Sequence, residues 1–221
     1  MQTQLIKDEF FANMAHDLKS PINSQIQVLK FILSSKKESD EEKELLSQLL
    51  NSNLHLQNLI QNLMTKFKTS SNNFSLNKKE INFKNFLTNI LQKTFFILDD
   101  KNLTLKINYL SKKEFVQIDE IEIERVFLNL ITNAARHAKN SSIIEINIEN
   151  SDDKFIISII NEGAHIKDLN EIFKIYQTGS KTSGTGLGLY ICKKIITTHG
   201  GKIYAQNIDP NKVKFTFTLP V

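Results

Sequence analysis

The stretch FFANMAHDLKSPI, residues 10–22, decides how the chain is read. From it, apolar residues run on at Met14, Leu18, Ile22, Ile26, Leu29 and Leu33. Steps of four and three are the signature of one apolar face on a helix. His16 lies two residues from both Met14 and Leu18, about 200° around the helix from each, so it points away from that face, towards water. Asp17 sits beside it, and Ser20 is one turn on, on the same side. Pro21 has no N–H to give the Asp17 carbonyl, which predicts a kink just past the histidine. A neutral imidazole nitrogen is a nucleophile near pH 7. A neighbouring carboxylate can fix its tautomer and accept its other proton. The competing reading is an ordinary exposed histidine on a bundle helix.

Downstream, SSKKESD (34–40) reads as a polar turn, and a second helix is predicted over 41–68. Its apolar set is Leu45, Leu46, Leu49, Leu56, Leu59, Ile60, Leu63, Met64 and Phe67. Two amphipathic helices of this length cannot bury their apolar faces in each other alone. Pairing with a second copy predicts a dimeric four-helix bundle, and hence a homodimer. Residues 69–77, TSSNNFSLN, form a polar linker. The expected division is therefore a helical hairpin over 1–68, a linker over 69–77 and a second domain over 78–221. In that domain LTLKINYL, EFVQI, IIEINIEN, KFIISII, KIYAQN and KVKFTFTL read as strands. They are interleaved with helices over about 83–96, 121–139 and 187–199. The fold class is α+β: the helical hairpin, then an α/β sandwich of a mixed sheet with helices on one face.

Composition narrows the function classes. The 221 residues are 40% apolar and 24% charged, as expected of a globular protein. No apolar run approaches the roughly 20 residues of a membrane helix, so no membrane segment is expected in this chain, although an upstream sensor or membrane region is open. The net charge of +4 is spread over scattered lysines. The absence of a basic stripe argues against a nucleic-acid partner. The single cysteine, Cys192, suits a reducing cytoplasm and reads as a buried structural thiol. All seven glycines lie after residue 162, so the demand for unusual backbone is confined to one region.

That region and the helix before it carry a second chemistry. Arg125, Asn129, Asn133 and His137 recur every four residues, one polar helix face. Asparagine is a mediocre helix former, but its carboxamide oxygen is a hard ligand suited to Mg²⁺ that also holds water and phosphate oxygens. Asn133 and Asn129 are the expected metal ligands, and Arg136 can pair with phosphate. A merely solvated face is the competing reading. In GTGLGL, 184–189, Gly184, Gly186 and Gly188 let backbone N–H groups approach phosphates at the start of a helix. The terminal G-K-[ST] of a P-loop and the parallel βαβ unit of a dinucleotide site are both missing.

Taken together, these motifs resemble those of sensor histidine kinases from about Glu9 to the C-terminus. HDLKSP resembles the family's phosphoacceptor box, H-[ED]-L-[RK]-T-P, and NLITNAARH (129–137) its N-box. SGTGLGLYICKKIITTHGGKI (183–203) resembles the G2 box, and EIFKIYQTGSK (171–181), with Phe173 and Tyr176, the F-box and the start of the ATP lid. The resemblance implies a dimerising phosphotransfer hairpin joined to an ATP-binding domain of the Bergerat type, using ATP and Mg²⁺ in the cytoplasm. It implies that the γ-phosphoryl passes to His16 with Asp17 as general base, then to an aspartate on the receiver domain of a response regulator. Ser20 takes the position whose usual Thr or Asn supports dephosphorylation of that regulator. In the nucleotide site it implies roles for Asn129, Asn133, Arg136 and His137, for Lys181, Thr182 and Ser183 near the phosphates, and for Gly184, Thr185, Gly186, Leu187 and Gly188 of the G2 loop. IINEGAHI (159–166) matches the G1 box, D-x-G-x-G, with two departures. Asn161 replaces the Asp that accepts from the adenine amino group, and His165 replaces the second Gly, while Gly163 is kept. These departures motivate an alternative: a phosphotransfer or regulator-phosphatase module with a degenerate nucleotide site and weak or no kinase activity.

Overall fold

The computed structural model divides the chain into two compact units, 1–74 and 75–221. It describes residues 22–23, 25–29, 32–33, 42, 44–47, 49–50, 52–53, 56 and 60 of the first, and 75–99, 101–151, 153–174, 188–208 and 210–220 of the second.

In the first unit the described residues between 22 and 33 (α1) and between 42 and 60 (α2) are helical. Ile22, Ile26 and Leu29 of α1 pack in one core with Leu50 and Ile60 of α2, with Leu33 and Leu46 at its edge. The predicted α1 face is therefore the buried one wherever it is described. The apolar set of α2 separates into two faces. Leu46, Leu50, Asn53 and Ile60 turn inward, Asn53 satisfying its amide nitrogen on the Leu49 carbonyl at 3.0 Å. Leu45, Leu49 and Leu56 remain exposed at 65%, 52% and 45%. Leu50, absent from the predicted apolar set, is the most deeply buried residue of the unit's core at 1%.

The second unit opens with β1 (Lys79–Asn82), which pairs antiparallel with β3 (Phe115–Ile118) in a small two-stranded sheet. A five-stranded sheet follows the order β2-β4-β5-β7-β6, from β2 (Thr104–Tyr109), β4 (Ile143–Asn150), β5 (Lys154–Glu162), β6 (Ile203–Ile208) and β7 (Lys212–Pro220). Only β2 and β4 run parallel; the other neighbours are antiparallel. Alternation sets the faces: Ile144, Ile146 and Ile148, then Phe155, Ile157 and Ile159, then Val213, Phe215, Phe217 and Leu219, are all buried on the side of the helices. Those helices are α3 (Phe83–Asp99), α4 (Glu120–His137) and α5 (Gly188–Thr198). Phe83, Phe86 and Phe127 meet Phe155 and Phe217 of the sheet, with ring centroids 5.0–6.2 Å apart, in the tilted and edge-on arrangements that the ring quadrupole favours.

Specific contacts close the start of α4 and the end of α5. Asp119 caps α4, its carboxylate accepting from the Glu122 N–H, with Glu120 and Glu122 adding negative charge to the first turn. The last turn of α5 stops in a Schellman motif. Gly200, at φ +89°, donates to the Thr197 carbonyl, and Gly201 to the Ile196 carbonyl.

Candidate active site

The polar face read on α4 is present, but its residues divide the work. Arg125 is held by Glu122 one turn back (3.0 Å). Asn129 faces the start of α5: a Cβ on Gly188 would lie 3.7 Å from its carboxamide carbon and oxygen, so the glycine leaves the helix N-terminus open beside it. The Asn129 amide nitrogen is buried, with no hydrogen-bond partner among the described residues. Its side chain also meets the Cys192 thiol, one turn into α5, which burial pushes up to about 12. Asn133 lies half-buried one turn further along α4. Arg136 is exposed in the last turn, and its carbonyl, with that of Ala138, accepts from the Lys101 ammonium at 2.6 and 3.2 Å, which caps the helix.

The end of β5 forms the second half of the site. The strand runs two residues further than the sequence alternation indicated, through Asn161 and Glu162, which pair with Val213 and Lys212. Asn161 is thus fixed by the ladder rather than carried on a loop, and only 2% exposed. Its Nδ2 donates to the Glu162 carbonyl at 3.3 Å. A carbonyl can only accept, so the nitrogen must be the atom facing it and the amide oxygen is turned the other way. Gly163 is required by contact: a Cβ there would collide with the His137 carbonyl at the end of α4. Asn161, Gly163 and His137 therefore meet at one corner. Burial, and after it the charges of Arg136 and Lys101, hold the His137 imidazole below its ordinary range, so it is neutral at pH 7.

His165 does not occupy this corner. Its ring Nε2 lies 3.2 Å from the Ile208 carbonyl, and the neighbouring Asn207 brackets Ile166 with two hydrogen bonds of 2.9 Å. The bulk that replaces the second glycine is thus carried outward, onto the β6–β7 hairpin. Phe173 is buried edge-on against Phe215 at 6.4 Å. His16, Asp17 and Ser20, Tyr176, and Lys181, Thr182, Ser183, Gly184, Thr185, Gly186 and Leu187 lie outside the described residues.

The residues present fit a nucleotide and its cation. No group of three or more His, Cys, Asp or Glu that could hold a metal exists among the described residues. A cation here would instead lean on carboxamide oxygens, with the phosphates and water that Mg²⁺ usually keeps completing its shell. The Asn129 amide nitrogen is buried and its side chain meets the Cys192 thiol, while its oxygen lies on the Gly188 side, at the start of α5.

Comparisons with known proteins agree with this arrangement. Residues 6–69 match the His Kinase A (phospho-acceptor) domain, and residues 118–221 the histidine kinase-, DNA gyrase B- and HSP90-like ATPase family. The chain is 28% identical to the sensor histidine kinase WalK of Bacillus subtilis, a match covering 96% of this chain and 36% of that protein. It is 30% identical to the sensor protein SrrB of Staphylococcus aureus over 97% of this chain and 38% of that protein. The chain therefore spans between a third and two-fifths of the length of these two relatives. Among solved structures, the catalytic domain of histidine kinase ThkA is 31% identical, with a TM-score of 0.60 over 66% of this chain and 96% of that one. The histidine kinase AdeS of Acinetobacter baumannii is 26% identical, with a TM-score of 0.65 over 93% and 97%. No helix among the described residues is long and apolar enough to cross a membrane. With a phosphoacceptor domain followed by an ATPase domain, and a likeness to a kinase catalytic domain that runs over almost all of that domain, the chain belongs to the sensor histidine kinase family.

Proposed function

We propose that the chain is the transmitter core of a sensor histidine kinase, which phosphorylates its own His16 from ATP and passes the phosphoryl group to an aspartate of a response-regulator receiver domain. The observation that carries this reading is the meeting of Asn129 with the glycine start of α5 on one side, and of Asn161, Gly163 and His137 on the other. One half suits phosphates and the other a base. The adenine amino group donates to the Asn161 oxygen, the one acceptor atom of that side chain, which the bond from Nδ2 to the Glu162 carbonyl holds in a fixed direction. Neutral His137 borders the base without adding charge. Asn133, with Asn129, supplies carboxamide oxygen to Mg²⁺. When bound, Mg²⁺ neutralises the triphosphate charge. Arg136, Lys181, Thr182 and Ser183, with the backbone of Gly184, Thr185, Gly186, Leu187 and Gly188, complete the phosphate contacts.

In the reaction, a neutral His16 ring nitrogen attacks the γ-phosphorus. The N–P bond forms as the bond to the β–γ bridging oxygen breaks, and ADP leaves. Asp17 takes the proton released from the imidazole. Ser20 keeps a hydroxyl one turn from the phosphorylated ring, where it can orient water in the reverse hydrolysis of the regulator.

The chain acts as a homodimer, with residues 1–68 as its bundle, 69–77 as linker and 78–221 as the ATP-binding part. Leu45, Leu49 and Leu56 support this, since steps of four and seven put them on one exposed face of α2 that a second copy would cover. The alternative, a module with a degenerate nucleotide site, is not favoured: Asn161 retains an oriented acceptor and His165 turns out of the corner. Transfer of radioactive γ-phosphate from ATP·Mg²⁺ to the purified chain tests the reading. Acid-labile, alkali-stable phosphate that is absent from a His16→Gln variant is expected; a folded dimer that takes up none overturns it.

A further inference from the structure

The point where the chain enters the 75–221 unit is tied down by two side chains that the nucleotide reading gives no role, Asp119 before the N-box helix and His199 at the end of the G2-box stretch. Asp119 gives one carboxylate oxygen to the Glu122 N–H as the cap of α4 (3.3 Å) and the other to the Asn77 N–H (2.9 Å). The Asp119 N–H donates to Nε2 of His199 at 3.0 Å. His199 Nδ1 lies 2.9 Å from the Ile195 carbonyl, which can only accept, so Nδ1 carries the ring proton and Nε2 is the acceptor. The His199 carbonyl in turn accepts from the Lys78 ammonium at 3.2 Å. The histidine is only 2% exposed. One carboxylate and one imidazole thus join three places remote in sequence: the entry segment, the start of α4 and the end of α5.

These are the two helices of the phosphate half of the site. Asn129 lies ten residues, about 15 Å, along α4 from Asp119, and Gly188 lies a similar distance along α5 from His199. α4 and α5 are pinned together at one end by Asp119 and His199, meet between Cys192 Sγ and the Val126 carbonyl at 3.9 Å, and come together again where Asn129, midway along α4, faces Gly188 at the start of α5. A small tilt at the pin becomes a displacement at the far end.

We propose that Asp119 and His199 are a positioning pair that couples the entry segment at Asn77 and Lys78 to the spacing of α4 and α5, and so to nucleotide affinity. This coupling rests on the nucleotide reading of the site. Because coupling is reciprocal, bound nucleotide must also steady the entry segment.

The test uses the whole 221-residue chain, with ADP·Mg²⁺ as probe, calorimetry for affinity and hydrogen exchange for the Asn77 amide. Asp119→Asn keeps a good helix cap but has one acceptor oxygen in place of two; combined with Lys78→Met it cuts both entry tethers and leaves the helices intact. This double variant is expected to bind ADP about tenfold more weakly, and the slowing of Asn77 exchange by ADP seen in the parent should vanish. His199→Leu should weaken ADP as much, and His199→Gln, which restores an acceptor, should recover part of the loss. If His199→Leu does not fold, the double variant carries the test. A role in folding alone would lower the melting temperature and leave the ADP Kd of the folded chain as it was. Equal ADP Kd in parent and double variant, with Asn77 exchange indifferent to ADP, overturns the coupling and leaves the ATP site standing. A parent chain that binds no ADP overturns both.

Discussion

A carboxamide at position 161 has a direction that a carboxylate lacks. A carboxylate presents two equivalent acceptors, whereas Asn161 has a single acceptor oxygen, and one of its two amide N–H groups is given to the Glu162 carbonyl. That oxygen suits the amino group of adenine and opposes the carbonyl of guanine. The parent chain should therefore prefer ADP to GDP, and Asn161→Ala should bind ADP roughly tenfold more weakly, the cost of about one lost buried hydrogen bond. Competition of the two nucleotides against a fluorescent ATP analogue checks both; an alanine variant with unchanged affinity would place the base elsewhere. Next to it, Gly163 is fixed by space. Gly163→Ala forces a methyl group against the His137 backbone, which has no side-chain freedom to yield. The expected loss is about 1–3 kcal/mol of stability, read from urea unfolding, together with weaker nucleotide binding as α4 is pushed from β5.

At the scale of elements, the strands were readable because each alternates cleanly, and the helices because their apolar steps are regular. The end of β5 was not: Asn161 and Glu162 break the apolar run, yet pairing with Val213 and Lys212 continues the strand through them. In α2, the predicted apolar band held Leu45, Leu46 and Leu49 together and left out Leu50; only packing shows that Leu46 and Leu50 face in while Leu45 and Leu49 face out. The nucleotide helices were found from side chains spaced by four and from glycine clustering, which are local signals. The link from Asp119 to His199 spans 80 residues and has no local signal at all. Which helix contacts matter most is set by the aromatic cluster. Phe127 is fully buried and meets Phe83, Phe86 and Phe217, so Phe127→Ala should cost about 3–5 kcal/mol in chemical denaturation, far more than removal of the surface pair between Lys93 and Glu124.

For the whole molecule, buried shifted groups bound the pH range of stability. His199, only 2% exposed, is held below its ordinary 6.5, chiefly by burial. The unfolded chain then takes up protons that the folded chain refuses, so stability is full above pH 6.5 and falls as the pH drops below it. Cys192 works in the opposite sense: its thiol is raised by burial from 9.0 to about 12, so stability is lost as the pH climbs above 9.0. Melting temperature against pH should show a plateau between these limits, and Cys192→Val should postpone the alkaline fall to above 10.0, where Tyr109, also raised chiefly by burial, begins to contribute. Assembly is a second whole-molecule property. Leu49→Lys with Leu56→Lys should convert the dimer to a monomer in sedimentation while the melting of the 75–221 unit stays as it was. The same thiol has a practical consequence. It is the thiolate that adds to reagents such as maleimides, and the one cysteine of this chain is wholly enclosed and keeps its proton at neutral pH. The natural sequence is therefore already a silent background for site-specific conjugation: a spectroscopic reporter attached through a new cysteine at exposed Val28 or Lys84 would stand alone, with nothing to remove first.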